Sequence, residues 1–134
     1  MQRVPIVLVI EDDPLQRDIY KSLLYYNGFD VEIAPDAESG LTSAFEQHPD
    51  AILVDVVLPR MNGLDATALF KNSPTTAHVP VICMSAYDID MHKVKRAGAD
   101  DFLKKPIAGD VLVRSIRRFI GWDDQPKPEQ PSEM

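Results

Sequence analysis

The sequence predicts an α/β domain with a doubly wound parallel sheet and helices on both faces. Three observations predict it. Apolar runs rich in β-branched residues, at 4–10, 51–54 and 79–84, alternate with segments of helical periodicity. The links between them are short and carry Pro, Gly, Asn or Asp. The strand-then-helix unit also repeats five times along the chain. Such alternation implies parallel strands joined by right-handed crossovers, which place helices on both sides of one sheet.

Each element has its own signal. Residues 4–10 form a continuous apolar run, as expected of a strand covered on both faces, and Glu11-Asp12-Asp13-Pro14 ends it. Pro14 suits the first turn of a helix, where its missing N–H is harmless. Leu15, Ile19, Leu23 and Tyr26 then recur at helical spacing and predict the packed side of that helix, before Asn27-Gly28 ends it. Residues 30–34 alternate as a short strand. Pro35-Asp36 opens a helix carrying Ala37, Leu41, Ala44 and Phe45, and His48-Pro49-Asp50 closes it. Residues 51–54 form a buried strand that runs into Asp55. A loop at 59–63 precedes a helix at 64–71 and a polar loop at 72–78. The strand at 79–84 ends at Ser85, and a helix near 88–97 is stopped by Gly98. A short strand at 101–104 leads through Lys105-Pro106 to a last helix at 107–120, with Val111, Leu112, Ile116, Phe119 and Ile120 on one side.

The bulk numbers limit the function. A chain of 134 residues with 45% hydrophobic and 26% charged residues suits one globular domain. That domain is expected over residues 3–121. Residues 122–134, with prolines at 126, 128 and 131, read as a Pro-rich acidic tail or linker stub. Trp122 is expected to pack the end of the last helix. A net charge of −7 argues against coating nucleic acid or adhering to anionic membrane by bulk charge. The single cysteine, Cys83, rules out an internal disulfide and lies in an apolar run, as a core thiol would. The first apolar run is too short to span a bilayer and lacks a signal peptide's cleavage pattern, so a cytoplasmic location is expected.

The chemistry is expected where the strands end, because open parallel sheets bind ligands at the carboxyl ends of their strands. The first strand delivers Glu11, Asp12 and Asp13, the third Asp55, the fourth Ser85 and the fifth Lys105. Clustered carboxylates repel and call for a cation, and all-oxygen donors favour Mg²⁺ or Ca²⁺. A carboxylate can accept a phosphoryl group as an acyl phosphate. The charge that develops needs a cation and donors around it, which Lys105 and Ser85 supply.

Four segments in order carry a resemblance to a known family. Val7-Leu8-Val9-Ile10-Glu11-Asp12-Asp13-Pro14 is similar to the first strand and acidic pair of response regulator receiver domains. Asp55-Val56-Val57-Leu58-Pro59-Arg60-Met61-Asn62-Gly63 resembles their phosphoacceptor loop. Met84-Ser85-Ala86 resembles the hydroxyl-alanine motif, and residues 98–106, ending in Lys105-Pro106, resemble the last strand. The resemblance covers residues 3–121. It implies a flavodoxin-like (βα)5 fold with strand order 2-1-3-4-5. It also implies phosphorylation of Asp55 by a sensor histidine kinase or histidine phosphotransfer protein in a Mg²⁺-dependent reaction, with Mn²⁺ as an alternative cation. The implied metal ligands are Asp12, Glu11 through water, Asp55 and the backbone carbonyl of Val57; Asp13 falls outside the pair. Lys105, and not Lys104, matches the lysine that precedes a commonly cis proline. Ser85 and Phe102 match the switch pair, although Phe102 lacks the hydroxyl of the usual tyrosine. Val57 and Tyr87 occupy positions that tune loss of the phosphoryl group, and neither suits the placing of an attacking water. The resemblance further implies output to a downstream protein through the face of the fourth helix, last strand and last helix. A charge-paired homodimer on that face is a further expectation. It implies no enzyme beyond self-supported phosphoryl transfer and slow autodephosphorylation.

Alone, Asp55 could cap a helix, Lys105 could be a solvated lysine and Ser85 a turn residue. His48, His78 and His92 read as surface residues, which argues against a histidine phosphodonor. A haloacid-dehalogenase-like phosphatase would place a second Asp two residues after the first, where Val57 stands. A flavin module would want Ser, Thr and Gly where Glu11-Asp12-Asp13 stands. A pseudo-receiver would lack one of Asp12, Asp55, Ser85 and Lys105. The chain is expected to act as a single-domain receiver, with a fragment of a larger regulator as the alternative.

Overall fold

The computed structural model describes residues 3–121. The expectations for Trp122 and for the tail at 122–134 lie outside the described residues. Ten elements alternate along the chain. They are β1 (Ile6–Ile10), α1 (Pro14–Tyr26), β2 (Asp30–Ala34), α2 (Ala37–Gln47), β3 (Ala51–Asp55), α3 (Gly63–Asn72), β4 (Val81–Ser85), α4 (Met91–Ala97), β5 (Asp101–Lys104) and α5 (Gly109–Ile120). The five strands form one parallel sheet in the order β2-β1-β3-β4-β5, as the resemblance implies.

Side chains of the three central strands alternate between two cores. Leu8, Ile10, Ile52, Val54, Val81 and Cys83 meet α2 and α3 on one face. Val7, Val9, Ala51, Leu53, Ile82 and Met84 meet α1 and α5 on the other. Central strands covered on both sides have no polar face, hence their uniformly apolar sequence.

Two strands start later than their apolar runs suggest. β1 begins at Ile6 and β4 at Val81, immediately after Pro5 and Pro80. Both strands lie inside the sheet, and a proline has no N–H to give to a ladder. α4 begins at Met91 because the Asp90 carboxylate caps it by accepting from His92 N, and α5 begins at Gly109.

The packed side of α1 differs from the expected one. Leu15, Ile19 and Tyr26 are 68%, 54% and 81% exposed, and Leu23 is half-buried. The buried residues are Tyr20 and Leu24. Positions 16, 20, 24 and 27 share the spacing of 15, 19, 23 and 26, so periodicity alone fits two faces one residue apart. Phe45 on α2 and Val111 on α5, also expected to pack, are exposed. On α2 the contact is made by Ala37, Gly40 and Ala44, where Gly40 leaves room for the Ile10 side chain.

Candidate functional site

The end of β1 and the turn into α1 set the acidic half of the site. Asp13 caps α1, its Oδ1 accepting from Leu15 N at 2.9 Å, with Pro14 in the first turn. The guanidinium of Arg17 donates back to the carbonyls of Glu11 (3.0 Å) and Asp12 (3.3 Å), which fixes the turn. Glu11 is buried, and its Oε2 accepts from Asp13 N at 3.1 Å. Asp12 is exposed.

β3 ends on the buried carboxylate of Asp55, whose Oδ1 accepts from Val57 N at 2.8 Å. The loop beyond it is held close. Gly63 N donates to Val56 O at 2.8 Å, and a Cβ at Gly63 would collide with the Asp55 backbone carbonyl. Only glycine permits that approach. Asn62 caps α3 by accepting from Asp65 N at 2.9 Å.

The basic half comes from the end of β5. The Lys105–Pro106 bond is cis, as the resemblance implies. The Lys105 ammonium donates to Asp55 Oδ2 at 2.5 Å, Gln16 Oε1 at 2.6 Å and Glu11 Oε1 at 2.7 Å. Lys104 instead reaches outward to Asp88 at 2.5 Å. Burial works to lower the Lys105 pKa, but its bonds to Asp55 and Glu11 outweigh this and hold it above the ordinary value. For Glu11, burial raises the carboxyl pKa and prevails over the lowering bonds from Lys105 and Asp13 N. The fourth strand contributes Ser85, fully buried, whose Oγ accepts from Tyr87 N at 3.0 Å.

Carboxylate oxygens of Glu11, Asp12 and Asp55 lie within 4.8 Å of one another. Three carboxylates and one ammonium leave the cluster with excess negative charge, which a cation relieves. The donors are oxygens, the preference of a hard divalent ion such as Mg²⁺ or Mn²⁺. Asp13 stands outside this group, occupied in capping, as the motif reading had it. Phe102 is half-buried against the core, while Val57 and Tyr87 are exposed beside Asp55 and Ser85 in the chain. His48, His78 and His92 are exposed and lie outside the acidic cluster.

Sequence reasoning missed Gln16 and Arg17. A signal for Gln16 was present: an acidic cap followed three residues later by Gln is the pattern of a capping box. Nothing in the spacing pointed it at Lys105, 89 residues away in sequence.

The profile of the response regulator receiver domain matches residues 7–117. The chain belongs to that family. It is 28% identical over 117 residues to the polar-differentiation response regulator DivK of Brucella ovis, covering 86% of this chain and 95% of that one. Among solved structures it is similar to the receiver domain of the sensor histidine kinase PA1611 from Pseudomonas aeruginosa, which holds a magnesium ion in its active-site cleft. That likeness has a TM-score of 0.81 and 30% identity, over 89% of this chain and 99% of the other. A CheY-like receiver domain protein from Methanospirillum hungatei superposes with a TM-score of 0.83 at 25% identity, over 90% and 97% of the two chains. This receiver domain is therefore part of two-component signalling. No helix among its described residues is long and apolar enough to cross a membrane.

Proposed function

We propose that this receiver domain takes a phosphoryl group onto Asp55 in a Mg²⁺-dependent reaction and signals by a change of conformation. One observation carries the reading. A lysine ammonium sits 2.5 Å from the Asp55 carboxylate, and that carboxylate shares a cluster 4.8 Å across with Glu11 and Asp12. An Asp55 oxygen attacks phosphorus, and the bond to the donor's imidazole nitrogen breaks with its electron pair going to that nitrogen. The product is an acyl phosphate. Asp12 and Asp55, with the Val57 carbonyl and with Glu11 through water, would hold Mg²⁺, which when bound offsets charge on the phosphoryl oxygens. Lys105 supplies the second positive charge, and its raised pKa keeps it protonated at neutral pH.

The Ser85 hydroxyl, now accepting from Tyr87 N, keeps a proton to donate to the phosphoryl group. In this reading it draws the β4–α4 loop inward, and Phe102 follows by changing rotamer. Output then passes to a downstream protein through the α4–β5–α5 face, which could also pair two copies. The phosphodonor is a sensor histidine kinase or histidine phosphotransfer protein in the cytoplasm. The exposed apolar stripe of Leu15 and Ile19 on α1, starting two residues from Asp13, offers it ground beside the acidic cluster. Beyond this self-supported transfer and a slow loss of the phosphoryl group, the domain has no enzymatic activity of its own. The phosphatase alternative lacks its second aspartate, since Val57 stands there.

The test is incubation with Mg²⁺ and acetyl phosphate, read by intact mass. One phosphoryl addition is expected, lost in Asp55→Asn and with chelator. Labelling that survives Asp55→Asn would overturn the reading.

A further inference from the structure

Lys105 is held by three acceptors, and only two of them belong to the acidic cluster. An ammonium has three N–H donors. Here they are taken up by Asp55 Oδ2, Glu11 Oε1 and Gln16 Oε1, at 2.5, 2.7 and 2.6 Å. The third is a neutral amide from the first turn of α1.

The orientation of that amide follows from its neighbours. Lysine can only donate, so the Gln16 oxygen faces it. The Gln16 amide nitrogen donates to Asp13 Oδ2 at 3.1 Å, and an ionised carboxylate can only accept. Both ends of the amide are thus assigned without ambiguity. Asp13 is itself anchored as the cap of α1, and the hydroxyl of the buried Tyr20 stands 3.5 Å from the Gln16 oxygen. The amide is fixed from the helix side.

The three acceptors have different fates during the proposed reaction. Asp55 becomes an acyl phosphate, and its carboxylate charge passes to the phosphoryl group. Glu11 is drawn toward a cation. Gln16 carries no charge, ligates nothing and is bonded by neither reactant. We propose that Gln16 is a positioning residue for phosphoryl transfer. Its amide oxygen, oriented by Asp13, is the pivot that keeps the Lys105 ammonium over Asp55 while the ammonium's other two partners change. This inference rests on the receiver reading above. It gives Asp13, which the acidic-pair motif leaves aside, a role at one remove from the chemistry.

The test uses Gln16→Met, which keeps length and removes the polar atoms, and Gln16→Glu, which keeps the acceptor oxygen. The first readout is the Lys105 Nζ resonance by NMR in unphosphorylated, metal-free protein. A threefold-bonded ammonium should be protected from exchange in the parent and in Gln16→Glu, and broadened in Gln16→Met. The second is labelling by acetyl phosphate at saturating Mg²⁺, expected to slow about tenfold in Gln16→Met, the scale of one hydrogen bond to a charged group. Mg²⁺ affinity should stay within about twofold, since Gln16 is not a ligand. An unchanged Lys105 resonance together with a parental labelling rate in Gln16→Met overturns the proposal. Should that variant fail to fold, Gln16→Ala takes its place, and a Lys105 resonance that stays protected there overturns the proposal. The NMR arm needs no phosphorylation, so a parent that does not label at all sinks the phosphoacceptor reading and leaves the Lys105–Gln16 result standing.

Discussion

At the scale of single residues, environment decides what each group can do. Cys83 and Asp55 sit on adjoining strands, both buried, yet only the second meets a cation. Burial pushes the Cys83 thiol up to about 11, although its contact with Thr67 Oγ1 at 3.4 Å works the other way. An unfolded thiol ionises near about 8.5, so stability should fall as pH rises from there toward the folded value. At pH 8 a thiol reagent should leave the native protein untouched and modify it fully in urea; labelling of the native form would show that β4 is open. Val57 and Tyr87 lead to a second prediction. Both are exposed, and neither side chain is a carboxylate or amide that could position water. The aspartyl phosphate should persist. A dephosphorylation time course should run faster, by about tenfold or more, in a Val57→Asn, Tyr87→Glu double variant, the range expected when a group gains general-base or water-placing help. Equal lifetimes would reject the idea. The placing of Asp55, Ser85 and Lys105 at strand ends was legible because an apolar run leads into the first two and Lys105 stands directly before Pro106. That of Gln16 was not, because its partner is reached only through the sheet.

At the scale of elements, the loop between β3 and α3 carries the tightest constraint. Gly63 opens α3 with its Cα against the Asp55 carbonyl, and the obstacle to a side chain there is backbone. Backbone yields less readily than a side chain. Gly63→Ala should therefore cost about 2–3 kcal/mol by urea denaturation, the usual scale of overpacking. It should also slow labelling of Asp55 by shifting the loop that holds it. Retained stability and labelling would mean the loop relaxes freely. Strand and helix identities were readable from apolar runs and caps, and every predicted element exists. Boundaries failed where a proline denies the ladder a donor, at Pro5 and Pro80. The packed face of α1 failed because apolar residues stand on both candidate faces. Tyr20 and Leu24 pack inward because the sheet lies on their side, a fact outside the helix's own sequence.

At the scale of the whole molecule, the parallel sheet gathers charges that the unfolded chain keeps apart. Glu11, Asp12 and Asp55 come from two neighbouring strands, and Lys105 from the far edge. Folding thus creates the acidic cluster, and a cation held there would be linked to stability. Mg²⁺ at about 100 times its Kd should stabilise the fold by about 2.7 kcal/mol. That should appear as a rise of several degrees in Tm on replacing chelator with Mg²⁺, and Asp12→Asn should abolish most of it. A Tm indifferent to Mg²⁺ would count against the acidic cluster as a metal site. The sequence by itself determined the β-α alternation, the burial of the central strands and the residue types at the strand ends, because these depend on local periodicity and punctuation. Tertiary structure alone decided which face of α1 meets the sheet. It also brought Gln16 to Lys105 and the three carboxylates within reach of one cation, because such distances depend on how strands are ordered side by side.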